Sequence, residues 1–193
     1  MRYLILSVLF FISIFAHVGC NRNLNQELLD EALECFNDNR ELIKNKRYLV
    51  IIDYNKDIFQ KRFWLYDIEK DIILMNNKVT HALKSGIFYC NETSNVIGSN
   101  KSSVGSFITG KPYYGKWGYS MKVHGLDKEN DRAYLRNIVF HSQCKHKYYG
   151  ITLPAWLSIY SKGCFCFDEK NMNKFISLTK NGTFVYVRSN KKY

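Results

Sequence analysis

Tyr48-Leu49-Val50-Ile51-Ile52-Asp53-Tyr54 marks the place where the chain changes period. Ahead of it, over residues 23–46, Leu28, Leu29, Leu33, Phe36, Leu42 and Ile43 recur at helical spacing. Acids come early in that stretch and bases late, as the helix macrodipole prefers. From Tyr48 onward the apolar residues arrive in short β-branched or aromatic runs: Phe63-Trp64-Leu65-Tyr66, Ile72-Ile73-Leu74-Met75 and Val79-Thr80-His81-Ala82-Leu83. Polar turns such as Glu69-Lys70-Asp71 and Asn76-Asn77-Lys78 separate them, which predicts a strand meander. Further strands are predicted over 104–109, 119–124, 138–141 and 183–187. Helices are predicted over 130–135 and 168–179, the second with Asp168 as N-cap and Asn181-Gly182 as its stop. The class is therefore mostly β with some α, with no internal repeat.

The totals agree with one folded domain. A chain of 193 residues, 46% hydrophobic and 16% aromatic, can bury one good core. Two prolines and no low-complexity run exclude a disordered or mucin-like protein. The formal charge is +11, and the first segment contributes only Arg2 to it. Such a surface suits anionic partners, an acidic wall polymer or anionic lipid among them. The lysines and arginines are scattered, so no nucleic-acid motif is formed, and no nucleic-acid partner is expected.

Residues 1–20 read as a signal segment: Arg2, an apolar run from Leu4 to Ala16, then Val18-Gly19-Cys20. The run is shorter than the ~20 residues a membrane-spanning helix needs. Cleavage before Cys20 would leave a lipid-bearing cysteine and anchor the protein to a membrane surface. The competing expectation is plain secretion after Ala16. Residues 21–47 then form a helical N-terminal segment, and 48–193 the main domain.

Two motifs carry chemistry. Arg136-Asn137-Ile138-Val139-Phe140-His141-Ser142 reads as a short apolar strand with a histidine at its end. Ser161-Lys162-Gly163-Cys164 places a cysteine directly after a glycine, where the chain turns sharply and can aim backbone N–H groups at one point. A thiol needs a base to become thiolate, and a developing oxyanion needs fixed donors. Cys164, His141 and the turn at Gly163 supply these parts. The bland reading is a buried small cysteine or half of a disulfide, since Phe165, Cys166 and Phe167 follow. Cys166, between two phenylalanines and just ahead of Asp168, is expected to pack inside.

The chain resembles the murein L,D-transpeptidase catalytic domain family. The matching pieces run in family order: Arg62 to Asp67, Val79 to Gly86, Ser102 to Phe107, Tyr114 to Ser120, His124-Gly125-Leu126, Arg136 to His141, Ser161 to Cys164 and Lys180 to Val187. The resemblance implies a single compact β-rich catalytic domain preceded by an N-terminal helix. It implies an enzyme that attacks the carbonyl of a diamino acid in a peptidoglycan stem peptide, releases the terminal D-amino acid and passes the acyl group to an amine. With water as acceptor the same site acts as an L,D-carboxypeptidase. Carried over by position, Cys164 is the nucleophile, His141 the base, and the Ser142 carbonyl the group that orients the imidazole. N–H groups near Gly163 and Cys164 would hold the oxyanion. Ser161, His124, His81 and Arg136 match positions expected to face substrate. No metal or other cofactor is implied, and the family is generally sensitive to carbapenems. The chain departs from the family in having Lys162 where a histidine is commonest, Phe165 where this branch tends to have proline, Cys166 where a polar residue is more frequent, and a longer gap between His141 and Ser161.

Rival readings remain beside this one. His124 is the other candidate base, and His146 reads as solvated. Cys144, Cys164, Cys166 and His141 could be imagined around zinc, though a Cys-x-Cys spacing without a second tight pair argues against it. Sequons at Asn91, Asn100 and Asn181 fit chance in an asparagine-rich chain. Two non-enzymes compete with the transpeptidase: a catalytically silent peptidoglycan-binding envelope lipoprotein, and a secreted binder in which a disulfide bridges Cys164.

Overall fold

The structure is a computed structural model that describes residues 24–142, 147–148, 151–152 and 160–189. The signal segment, Cys20, Cys144 and His146 lie outside the described residues. The chain runs α1 (Gln26–Asp38), β1 (Asn45–Asp53), β2 (Phe63–Asp67), β3 (Ile72–Asn77), β4 (His81–Ala82), β5 (Gly105–Gly115), β6 (Gly118–Gly125) and β7 (Val139–Ser142). It continues through β8 (Lys147–Tyr148), β9 (Ile151–Thr152), β10 (Tyr160–Ser161), β11 (Phe165–Phe167), α2 (Glu169–Thr179) and β12 (Thr183–Arg188).

The Tyr48–Tyr54 run becomes the second, buried part of β1, with Tyr54 just past its end. Its side chains alternate between two cores. Val50 and Ile52 join Phe63, Leu65, Val185 and Val187, along with Met172, Phe175 and Ile176 of α2. Leu49 and Ile51 join Trp64, Tyr66, Phe184 and Tyr186, under Leu28, Leu29, Ala32 and Phe36 of α1. A strand covered on both faces has no polar face to show, which is why this run reads as continuous apolar sequence rather than as alternation.

The sheet order is β11-β7-β6-β5-β12-β1-β2-β3. The expected meander is thus two antiparallel meanders, β1-β2-β3 and β5-β6-β7, and the C-terminal strand joins them. β12 inserts between β1, to which it is parallel, and β5, to which it is antiparallel. Nothing in the local pattern of residues distinguishes a central strand that arrives last from one that arrives first.

Helix α1 is shorter than the 23–46 expectation. Asn25 caps it by accepting from the Glu27 N–H at 2.9 Å. At the other end the Asn39 amide donates to the Cys35 carbonyl, closing a helix end where Asp and Asn favour local bonding over further turns. One 3-10 turn follows at Arg40–Leu42, leaving Leu42 exposed and Ile43 buried. The helix packs on the sheet rather than standing apart from it. Helix α2 begins as expected, with the Asp168 carboxylate accepting from the Asn171 N–H at 3.0 Å. It stops before Asn181 and Gly182, both at positive φ.

The predicted helix over 130–135 is a run of turns. The Asn130 side chain is fully buried and donates to the Val104 and Ser106 carbonyls while accepting from the Asp127 N–H, so it ties this segment to β5. Asn137 sits at φ 56 and turns the chain into β7. The expected strand 79–83 contracts to β4, which pairs with β10 in a small separate sheet instead of joining the main one.

Candidate active site

Strands β7 and β11 form one edge of the sheet, parallel, with Phe165 opposite Phe140, Cys166 opposite His141 and Phe167 opposite Ser142. Phe140, Phe165 and Phe167 turn into the core against Phe175 of α2. Side chains alternate along a strand, so His141 and Cys166 turn to the opposite face.

His141 is held in one orientation. Its Nδ1 lies 2.8 Å from the Ser142 carbonyl oxygen, which can only accept. In the neutral ring the proton therefore sits on Nδ1, and Nε2 presents a lone pair. Trp117, on the β5–β6 turn, stacks on the ring at 5.7 Å and 15°, and the Ser142 hydroxyl donates to the Trp117 carbonyl at 2.9 Å. The expected orienting role of Ser142 has this geometry behind it. Trp117 was not singled out from the sequence, although Tyr114 to Ser120 was one of the family-like pieces.

The thiol in contact with Nε2 belongs to Cys166, whose Sγ is 3.0 Å away. Cys166 packs inside as the sequence suggested, yet it does so against the imidazole and not among apolar side chains alone. It is buried, but its sulfur turns away from the phenylalanines on either side and toward the imidazole. Cys164 is half-buried at the turn before β11, and its thiol donates to the Asn137 carbonyl at 3.5 Å. Burial pushes the Cys164 thiol pKa up, while the Val139 N–H and the charges of Lys122, Arg136 and Lys116 pull it down. Among the described residues Cys164 is a free thiol, so the bridge that the bridged-binder reading needs is not formed with any of them.

The turn is built by Ser161 and Gly163. The Ser161 hydroxyl donates to the Cys164 carbonyl at 2.7 Å and accepts the Gly163 N–H at 3.1 Å. The Gly163 N–H is thus already engaged and is not the oxyanion donor the sequence suggested. Ser161, expected to face substrate, uses its hydroxyl to brace the turn. Gly163 has φ 119, and a Cβ there would lie 2.8 Å from the Lys101 carbonyl oxygen and 2.8 Å from Ile138, so only glycine fits. Arg136 donates to the Ser94 carbonyl, to the Lys101 carbonyl at 2.6 Å and to the Ser99 hydroxyl at 3.3 Å. It therefore pins the 94–101 loop behind Gly163, and toward Cys164 it acts through its charge.

His81 is the plainest correction among the expected substrate-facing residues. It is fully buried, with Nδ1 2.9 Å from Arg62 Nη2 and Nε2 2.9 Å from the Gly86 carbonyl. Arg62 only donates, so Nδ1 accepts and Nε2–H donates. Both nitrogens serve the scaffold. Arg62 is itself fully buried and holds the Val79 carbonyl through Nε and Nη2. Next along, the Thr80 hydroxyl donates to the Cys164 carbonyl at 3.1 Å and accepts from the Cys166 N–H at 3.1 Å. Arg62, Thr80 and His81 thus fix the backbone of the cysteine segment from behind. His124 is exposed on β6 with its ring stacked on Tyr134 at 4.8 Å. It is His141, not His124, that meets a thiol.

His81 also sets a pH dependence. Burial and the neighbouring Arg62 charge lower its pKa to about 4. An unfolded chain takes up this proton near the ordinary imidazole value of ~6.5, so between pH 6.5 and about 4 the unfolded state binds more protons. Stability is therefore expected to fall as pH drops through that window. Urea unfolding at pH 7, 6, 5 and 4 should show a flatter dependence for His81→Asn than for the natural chain. Equal slopes would remove His81 from the effect.

A family model described as an L,D-transpeptidase catalytic domain matches residues 20–188. No curated protein sequence matches the chain. Among solved structures, the helical cell shape determining protein Pgp2 from Campylobacter jejuni is 14% identical at a TM-score of 0.47, over 75% of this chain and 48% of that one. An L,D-transpeptidase from Mycobacterium smegmatis is 10% identical at 0.44, over 74% of this chain and 59% of that one. An L,D-transpeptidase from Stackebrandtia nassauensis is 13% identical at 0.44, over 84% and 66%. The chain thus spans about half the length of the Campylobacter protein.

Proposed function

Because the chain belongs to the L,D-transpeptidase catalytic domain family, we propose that it is a cysteine acyltransferase acting on peptidoglycan stem peptides. The observation that carries this reading is the fixed imidazole: His141 has Nδ1 on the Ser142 carbonyl and Nε2 turned to β11 at Cys166, two residues from Cys164. A base poised in this way is what thiol catalysis requires.

In the proposed reaction, Cys164 gives its proton to His141 Nε2 and its sulfur attacks the donor carbonyl. The C–N bond to the terminal D-amino acid then breaks, and the imidazolium returns the proton to the leaving amine. The thioester is opened by an acceptor amine, or by water in the carboxypeptidase variant. Lys122, Arg136 and Lys116, whose charges act on Cys164, also favour the negative charge that develops on the carbonyl oxygen. Thioesters suit this transfer because thiolates form them readily and amines open them readily. Neither step needs a metal.

Incubation with purified muropeptides, read by mass, tests the reading. Loss of the terminal D-residue together with a cross-linked or shortened product supports it. An unchanged pool, with thiols that alkylate no faster than ordinary cysteine at neutral pH, would support the silent peptidoglycan-binding lipoprotein instead.

We further propose an extracytoplasmic protein anchored through lipid on Cys20, on the strength of the apolar run ending in Gly19-Cys20. Labelled palmitate should enter the natural chain but not Cys20→Ala, which should leave the membrane fraction. No incorporation into the natural chain would leave ordinary secretion.

A further inference from the structure

The site holds two thiols and one imidazole, and the reading of Cys164 as nucleophile leaves Cys166 without a role. Its placement is specific. The parallel register sets Cys166 directly opposite His141, and Sγ is 3.0 Å from Nε2 against 3.7 Å from Nδ1. The Cys166 N–H is tied to the Thr80 hydroxyl at 3.1 Å, and its carbonyl accepts the Thr80 N–H at 3.0 Å. Phe165 and Phe167 are buried on either side, so the segment cannot shift without disturbing the core. A small apolar residue would fill this place equally well if packing were its only requirement.

The direction of the contact follows from the other nitrogen. The Ser142 carbonyl accepts the Nδ1–H, so in the neutral ring Nε2 accepts and the Cys166 thiol donates its S–H. A thiolate–imidazolium pair would be the alternative charge state. Both residues are buried, at 3% and 6% exposure, and burial disfavours separating charge there. The charges that act on the neighbouring Cys164 are cations, Lys122 on β6, Arg136 ahead of β7 and Lys116 beside Trp117, while Asp168 follows the segment as the cap of α2.

We propose that Cys166 is a positioning residue for the base: its S–H holds Nε2 of a neutral His141 until Cys164 claims that nitrogen. The inference rests on the proposed Cys164–His141 chemistry. In the handover the Nε2 lone pair leaves the Cys166 S–H hydrogen bond and takes the Cys164 proton. Cys166 keeps its own proton throughout, and no oxidant or co-reactant enters. The donor at position 166 fixes the tautomer and keeps the base unprotonated at the pH at which it must accept.

The test compares the full natural chain with Cys166→Ser, which keeps a hydroxyl donor, and Cys166→Ala, which has none. Imidazole NMR titration, with the His141 signal assigned by its loss in His141→Gln, should give a neutral ring with its proton on Nδ1 in the natural chain and in Cys166→Ser. In Cys166→Ala the His141 titration should move up by about one pH unit. The acidic limb of Cys164 alkylation, and of kcat/KM on muropeptides, should move with it. Rescue by serine separates a donor from a filler. Unchanged titration and pH profiles in a folded Cys166→Ala would overturn the proposal, as would a cationic His141 in the natural chain at neutral pH. An acyl group found on Cys166 would overturn it in another way, by making that thiol the nucleophile. If the alanine variant does not fold, the ring state of the natural chain still decides. If the natural chain processes no muropeptide, the functional reading fails, while the NMR titration continues to report on the contact itself.

Discussion

Cys164→Ser is expected to abolish muropeptide turnover and covalent capture of a carbapenem, while leaving the fold intact. A hydroxyl is almost never ionised near neutral pH, so the attacking atom loses its nucleophilicity although its size barely changes. The loss should reach several orders of magnitude, the scale seen when a catalytic nucleophile is removed. The turn itself should survive, because its bonds are made by backbone and neighbours. The Thr80 and Ser161 hydroxyls both donate to the Cys164 carbonyl, and Gly163 keeps its φ. Thermal unfolding close to that of the natural chain, together with absent turnover, is the expected pair of results. Residual turnover above about one per cent would move the nucleophile elsewhere in the segment.

His141→Gln is expected to lower the rate of Cys164 acylation by roughly 10²-fold or more, the usual scale for a positioned base. Burial raises the Cys164 pKa, so this thiol does not ionise unaided. The glutamine amide can still donate toward the Ser142 carbonyl but offers no basic nitrogen. The pH profile is the diagnostic part. With His141 present, the rate should rise through an apparent pKa below the ~8.5 of an ordinary thiol. In the variant it should follow the bare thiol at higher pH. An unchanged profile would transfer the role to His124 or remove it.

The two expectations differ in how directly the residues gave them. Tyr48 to Tyr54, Phe63 to Tyr66 and the Asp168 cap were legible because each is a local matter: short β-branched runs make strands, and an aspartate before an amphipathic stretch caps a helix. The insertion of β12 at the centre of the sheet was not, because pairing over such a separation leaves no mark on either strand alone. The helix expected at 130–135 failed for a tertiary reason, since the buried Asn130 amide binds the Val104 and Ser106 carbonyls at the start of β5 instead of letting its segment wind.

The site divides in the same way. His141 at a strand end and Cys164 after a required glycine could be read from sequence. The roles of Arg62, Thr80 and Trp117 could not, since each acts through a contact across tens of residues. The contact between His141 and Cys166 depends on the register of two parallel strands. The sequence set Cys164 at the glycine turn and Cys166 inside, and it took the β7–β11 pairing to show that Cys166 lies opposite the imidazole.

The most direct test of the account is to trap the acyl-enzyme with a stem tetrapeptide or a carbapenem and locate the added mass by fragmentation within the Gly163 to Phe167 segment. The account predicts one adduct, on Cys164, formed by the natural chain and by Cys166→Ser and missing from Cys164→Ser. An adduct on Cys166, or none on either thiol, would contradict it.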